Sequence, residues 1–262
     1  MRLPIYAPAR ILGKADDAAI STALDDVVEG KSLGTAARAV PRNSHPDANR
    51  IPERSTVLRW MQNAQKKMAK IYENIPIRVS GKWCTDEIYF PANKGGRYMA
   101  GVMDAKSRFM LANETYPEDD KLQVYDATQM FKRTVKIAKT IPNVLISDRL
   151  SGFARGFKNA ILGCRKYSKK DQKPVHIRNA SVQKRHINNS LFECQNGTVR
   201  NRIKTVRGFG SENPALMFLF IIHYNFIRPH MGINNKTPAE AMGIRVDGID
   251  KWLTLLAFAS TC

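Results

Sequence analysis

Asp86, Asp148 and Glu193 are the residues whose type, spacing and setting could do chemistry. Asp86 stands in an aromatic and β-branched run, GKWCTDEIYF (81–90), in which alternation puts Cys84, Asp86 and Ile88 on one face of a strand and Thr85 and Glu87 on the other. Asp148 closes the apolar run NVLIS, where a side chain reaches the C-terminal rim of a sheet. Glu193 falls near the start of a helix expected over about 190–204, with Gly197, Arg200 and Lys204 following on its face while Phe192, Val199, Ile203 and Val206 pack elsewhere. Carboxylate oxygens suit hard divalent cations. Phosphoryl transfer on DNA commonly uses two such ions, about 3.5–4 Å apart, to activate the attacking oxygen and stabilise the leaving one. Three acids converging from two strands and a helix on one sheet edge would hold Mg²⁺ or Mn²⁺, two ions in all. Each acid also has a plainer reading. Asp86 could face solvent from an edge strand, Asp148 could open a turn, and Glu193 could complete a capping box in SLFE (190–193).

Other polar residues point elsewhere. Asp104 sits in an Asp-x-x-Ser pattern that suits a turn, so it is expected to be structural. Glu87 points away from Asp86 and is left out of the site. Cys84 has no neighbouring base and reads as a small buried residue. His176 and His186 fall in a basic loop, and His223 and His230 near the C-terminus. With no cysteine at ligand spacing beside them, a zinc site is not expected. His230 reads as a buried structural histidine. The four cysteines are scattered without a CxxC pair, so neither a zinc finger nor a disulfide framework is expected.

The elements that would position the acids follow from the apolar pattern. KWCTDEIYF, RYMAGVMDA and RFMLANETY are separated by turn signals at 93–96 and 104–107, which describes three antiparallel strands. A helix over about 121–139, the strand ending at Asp148 and the helix GFARGFKNAILG come next. This order, β-β-β-α-β-α, is that of a ribonuclease-H-like α/β fold: a mixed sheet of three antiparallel strands plus parallel ones, with helices on both faces. Ahead of it, DDAAISTALDDVVEGKSLGTAARAV breaks at Gly30–Lys31–Ser32 into two short helices, with Ser32 as N-cap of the second. After the polar stretch PRNSHPDANR comes a third, longer helix, started at Pro52 or Ser55. The trio resembles a helix-turn-helix module, and Arg54, Ser55, Thr56, Arg59 and Trp60 lie where a recognition helix meets DNA. The division expected is an all-α DNA-binding domain over 1–75, the catalytic domain over 76–246 and a C-terminal helical tail over 247–262.

The 262 residues carry 42 Lys and Arg against 23 Asp and Glu, a formal net charge of +19, which calls for a polyanionic partner and sets the chain apart from an ordinary metabolic enzyme. From 149 to 211 there are fifteen Lys/Arg against Asp171 and Glu193 alone, so much of the excess follows Asp148 directly. The longest apolar run, ALMFLFII (215–222), is helix-core size, too short for a membrane span. No signal peptide is recognised, and a reduced, cytoplasmic, nucleoid-associated protein is expected.

TDEIYF, ISDRLSGF and NNSLFECQNGTVRNRIKTVRGFGS together resemble the three catalytic blocks of DDE-type insertion-sequence transposases, relatives of retroviral integrases. YNFIRPHMGINNKTPAEAMGI (224–244) resembles that family's C-terminal signature. The resemblance covers roughly 80–244. The 45-position separation of Asp148 and Glu193 suits groups with an insertion before the glutamate helix, and Arg200 fills the family's basic position seven after the glutamate. Arg149 stands where many relatives have glycine, and the N-terminal zinc-ribbon cysteines of some relatives are absent. The resemblance implies a transposase that binds the terminal inverted repeats of its own element, cleaves there and joins the freed 3′-hydroxyl to target DNA. Asp86, Asp148 and Glu193 would be its metal ligands. Lys184, Arg185, Arg200 and Lys204 would contact phosphates, and a homodimer or higher synaptic assembly would form. The alternatives are a transposase-derived DNA-binding protein without catalysis and another nuclease on the same fold.

Overall fold

The structure is a computed structural model describing residues 1–3, 12, 16–40, 51–92, 95–117, 124–164, 173–178, 190–205 and 214–262, without the side chains of 90–92, 95–96, 117, 190, 203–205 and 214. Two compact units emerge, one from Met1–Pro76 with Lys204–Cys262, the other from Ile77–Ile203.

The helical unit begins with a short strand, β1 (Arg2–Leu3), followed by α1 (Asp17–Val28) and α2 (Leu33–Ala39). Ser32 caps α2 as its sequence suggests, accepting from the Thr35 amide at 3.1 Å. Next come α3 (Arg54–Met68) and a single turn, α4 (Ile71–Asn74). The N-cap of α3 is Glu53, and Ser55 lies inside the first turn with its hydroxyl 3.3 Å from the Glu53 carboxylate. Val57, Trp60, Met61, Ala64 and Met68 form the buried stripe of α3. Trp60 is therefore a core residue rather than a reader of DNA, because it shares the i, i+3, i+4 face with Val57 and Ala64. Arg54, Ser55 and Arg59 stay exposed and Thr56 is half-buried.

The second unit is built on β2 (Lys82–Ala92), β3 (Gly95–Asp104), β4 (Met110–Pro117), β5 (Val144–Ser147) and β6 (Val175–Arg178). Their order across the sheet is β4-β3-β2-β5-β6, with β2, β3 and β4 antiparallel and β5 and β6 parallel to β2. This is a ribonuclease-H-like mixed sheet. Its fifth strand falls within the stretch expected to be a basic loop, so His176 is a strand residue. β2 is central, which removes the edge-strand reading of Asp86. The helices are α5 (Val124–Ala138), α6 (Ser151–Phe157), which runs on into a π-helical turn at Lys158–Leu162, and α7 (Ser190–Thr205). Arg133 of α5 pairs with Glu114, and Phe157 of α6 packs on His176 with ring centroids 4.9 Å apart. Register places Glu114 and His176 on the face of Trp83, Thr85 and Glu87, so α5 and α6 cover that face. Phe192 of α7 meets Gly101 on the opposite face, which is the face of Asp86.

The chain then returns to the helical unit with α8 (Pro214–Ile222), a π-helical turn at His223–Ile227, α9 (Pro238–Ala241), β7 (Arg245–Val246) and α10 (Lys251–Thr261). The expected catalytic domain and tail thus share residues 204–262 differently from the observed units. α8 is apolar nearly all round and packs between α1 and α3, while α10 buries Trp252, Leu255, Leu256 and Phe258 in the same core. The signature stretch 224–244 is a folded clip. The His230 ring meets Tyr224 edge-on at 4.4 Å, His230 bridges to Lys236, and Thr237 with Glu240 closes a reciprocal capping box around Pro238. Among the described residues no helix is long and apolar enough to cross a membrane.

Candidate active site

Cys84 pairs with Ile146 at the end of the parallel β2–β5 ladder, Asp86 lies two residues further along β2, and Asp148 is the residue that follows β5. Neighbouring strands lie about 4.8 Å apart. β5 ends at Ser147, so beyond Cys84 one side of β2 opens, and Asp148 stands at the rim of that opening. On its other side Asp86 pairs with Gly101 of β3.

The electrostatics agree with that placement. Burial pushes the Asp86 carboxyl up to about 7, a hydrogen bond from the Glu87 backbone pulls against it, and the charges of Asp148, Glu193 and Glu87 push it further. Asp86 therefore feels both other acids. Asp148 accepts a 2.9 Å bond from the Leu150 amide, the turn chemistry that an aspartate after a strand offers. One carboxylate oxygen is used in this way. Glu193 is exposed on α7, whose first residue is Ser190. The capping-box alternative for Glu193 requires the Ser190 side chain, which lies outside the described residues.

What α7 presents directly to Asp86 is Asn196. Its Nδ2 donates to Asp86 Oδ2 at 3.1 Å and lies 3.5 Å from the Glu87 carbonyl. The buried face of the helix consists of Phe192, Gln195, Asn196 and Val199. Phe192 needs a seat on the sheet, and Gly101 supplies it: a Cβ at 101 would lie 2.9 Å from Phe192 Cζ and 3.0 Å from Met110 Sδ. Neither Asn196 nor Gly101 was among the residues singled out by sequence. The signal for Gly101 was a glycine inside an apolar strand, RYMAGVMD, which marks close approach. For Asn196 it was an amide three residues after the glutamate, beside the apolar Phe192 and Val199 of the same face. Gly101→Val should destabilise the protein by about 1–3 kcal/mol through overpacking. Adding Phe192→Leu should recover at least half of that loss in urea unfolding, whereas strictly additive losses would show that the ring does not rest on this site.

The remaining polar residues have partners that account for them. Glu87 lies on the other face and accepts from the Tyr116 hydroxyl. Burial raises its carboxyl, that bond opposes the shift, and Asp148 adds to it. The Tyr116 hydroxyl is itself raised by burial and by this bond. Asp104 is buried and accepts from the backbone and hydroxyl of both Ser80 and Ser107, as a structural turn residue does. Burial pushes the Cys84 thiol up to about 11, which keeps it protonated and unreactive. His176 contacts the Ser147 hydroxyl at 2.7 Å, and burial, then the Arg178 charge, lowers it to about 4, so its ring is neutral at pH 7.

The donor set suits a hard divalent cation. Asp86, Asp148 and Glu193 offer carboxylate oxygens alone, and the mutual repulsion felt at Asp86 is what a cation would relieve. Among the described residues no three His, Cys, Asp or Glu close into a ready-made metal cage. Mg²⁺ usually binds through one or two carboxylates together with substrate phosphates and water, which an open set of this kind permits. Of the expected DNA contacts, Arg200 is exposed on α7. The side chain of Lys204, and Lys184 and Arg185 entirely, lie outside the described residues.

Among solved structures, the chain resembles the catalytic core domain of HTLV-2 integrase in complex with magnesium, in its dimeric form, at 13% identity and a TM-score of 0.44, covering 64% of this chain and 99% of that one. It also resembles the catalytic core domain of BIV integrase at 14% identity and a TM-score of 0.40, covering 62% and 93%. The Mos1 strand transfer complex matches at 7% identity and a TM-score of 0.39, covering 98% and 78%. The likeness is one of fold alone. No protein-family model and no curated protein matches the chain.

Proposed function

We propose that this chain is a divalent-metal-dependent DNA strand-transfer enzyme, a DDE-type transposase that cleaves at the terminal inverted repeats of a mobile element and joins the freed 3′-hydroxyl to target DNA. The observation that carries this reading is that Asp86, on the central strand β2, feels the charges of both Asp148, the residue after β5, and Glu193 of α7. Bound Mg²⁺ or Mn²⁺, two ions in the reading offered here, would activate the attacking oxygen and neutralise charge on the leaving one.

The chain's own contribution is to hold the carboxylates and the nucleic acid. Asp86, Asp148 and Glu193 present oxygens from two strands and one helix. Arg200 and Arg202 of α7, with Lys204, Lys184 and Arg185, meet phosphates within a chain of net charge +19. Arg54, Ser55, Thr56 and Arg59, at the start of α3, read the repeat ends from the helical unit. Holding two element ends on one target requires two copies of the chain, so a dimer or larger synaptic assembly is part of the proposal.

A strand-transfer assay decides the matter, with the full-length protein, duplexes carrying the repeats that flank its gene, and a supercoiled target. Joined products are expected with Mg²⁺ or Mn²⁺ and none in EDTA. End binding should persist without metal and weaken with salt, by about 0.9 in log K per log unit of salt for each phosphate contact. Wild type that binds the ends but is as inert as Asp148→Asn would make the chain a DNA-binding derivative without catalysis. Cutting without joining would make it another nuclease of the fold.

A further inference from the structure

The buried face of α7 contains two amides where an apolar face is expected. Gln195 and Asn196 are each only 2% exposed. Among the described residues neither amide atom of Gln195 has a hydrogen-bond partner, and the Oδ1 of Asn196 has none either. A buried polar atom left without a partner is destabilising, because it has given up its bonds to water. Phe192 and Val199, on the same face, show what packing alone would select. The Asn196 Nδ2 donates to Asp86 Oδ2 at 3.1 Å and, at the longer distance of 3.5 Å, to the Glu87 carbonyl. Asn196 lies one helical turn after Glu193, and Phe192, the residue before Glu193, is seated on Gly101, the register partner of Asp86. The helix carrying the glutamate thus meets β2 and β3 at two points, an aromatic ring on bare backbone and an amide on a carboxylate.

Resting on the metal-dependent reading above, we propose that Asn196 is a positioning residue of the metal site: its amide fixes the orientation of the Asp86 carboxylate and joins that carboxylate to the helix bearing Glu193. An N–H donated to a carboxylate favours its ionised, ligating form. With Oδ2 held, the rotation of the carboxylate is set and Oδ1 is left to a cation. Packing alone would give neither the bond nor the orphaned amide oxygen. Residues that orient metal ligands in this way typically change metal affinity by about 10–100-fold when removed.

The test measures Mn²⁺ binding to the full chain at pH 8 from the electron-spin-resonance signal of the free ion. Asn196→Leu, Asn196→Ala and Asp86→Asn are compared with wild type, after thermal melts in EDTA identify the folded variants. The Asn196 variants are expected to melt within a few degrees of wild type yet to bind Mn²⁺ about 10–100-fold more weakly. In strand transfer their half-saturating Mn²⁺ should rise by the same factor, with the rate at saturating metal largely kept. If a folded Asn196 variant binds Mn²⁺ like wild type while Asp86→Asn does not, the positioning role is wrong and the metal reading stands. If Asp86→Asn also binds like wild type, or wild type binds none, both fall. Should neither Asn196 variant fold, Asn196 is a core residue and the proposal is overturned.

Discussion

Asp86→Asn should stop strand transfer and, in metal-free buffer above pH 7, make the protein more stable than wild type. Two independent terms lead there. Metal ions at a phosphoryl centre supply several kcal/mol of transition-state stabilisation, so losing a ligand shared between strands should cost at least about 10³ in rate. The stability term has the opposite sign. The Asp86 carboxyl titrates near 4 in an unfolded chain and is raised to about 7 in the fold. Between those values the folded protein binds the extra proton, so stability falls as pH rises from about 4 to 7 and stays low above that range. Asparagine carries no charge to desolvate and removes the repulsion from Asp148 and Glu193. Because the carboxylate is half-buried and solvent screens its neighbours, the gain is on the order of 1–2 kcal/mol, or a few degrees in Tm for a chain of this size. Scanning calorimetry in EDTA at pH 5 and pH 8 should show the variant ahead of wild type by less than half as much at the lower pH. At the higher pH it should melt above wild type. Mg²⁺ or Mn²⁺ should raise the wild-type Tm at pH 8 and leave the variant unmoved. A variant that melts below wild type at pH 8 would show that Asp86 is held by favourable contacts rather than strained by like charge.

The strands carrying the acids were readable because they are long, apolar and punctuated by turns. KWCTDEIYF, RYMAGVMDA and NVLIS each fill a strand that the structure contains, and alternation alone put Asp86 and Glu87 on opposite faces. β6 was not readable. Val175–Arg178 is a four-residue edge strand in a basic stretch, bordered on one side only, and its apolar content is too small to outweigh its charge. Trp60 was placed with Arg54 and Arg59 where a recognition helix meets DNA, although its spacing from Val57 and Ala64 assigns it to the core. The apolar α8 was expected within the catalytic domain over 76–246, yet it completes the core of the helical unit with α1 and α3, since an apolar helix can fill any core of the right shape. The sequence pointed to the charged members of the proposed site and not to the contacts around them. Seating Phe192 on Gly101 depends on register between β2 and β3 and on the depth to which α7 docks, and no spacing within either segment encodes that depth. Asp104 was the converse case, an acid whose turn pattern pointed to the serine bonds that the structure gives it.

Asp104→Ala should be the most destabilising carboxylate substitution in the sheet unit. The side chain is 1% exposed and accepts four hydrogen bonds: from Ser80 N and Oγ, each at 2.7 Å to Oδ1, and from Ser107 N and Oγ, at 3.0 and 2.8 Å to Oδ2. It thereby ties the lead-in to β2 to the β3–β4 turn, which also turns through Arg108 at a φ of 62° and closes with the Arg108 amide on the Asp104 carbonyl at 2.9 Å. Bonds to a charged acceptor contribute about 1.5–3 kcal/mol each in favourable cases, and the two amides left behind are part of the cost. The hydroxyls can rotate to other acceptors, so the total should be about 3–5 kcal/mol rather than the sum of four bonds. That corresponds to a fall on the order of 10 °C in Tm. Asp104→Asn keeps an acceptor for one serine but turns an NH₂ toward the donors of the other, and should lose about half as much. Urea unfolding measures both. Activity separates this carboxylate from the proposed ligands: at a temperature well below its own melting point, Asp104→Asn should transfer strands within a few-fold of wild type. Asp104 closes a turn three register positions from Asp86, and a complete loss of chemistry in a folded Asp104→Asn variant would instead place it in the metal site.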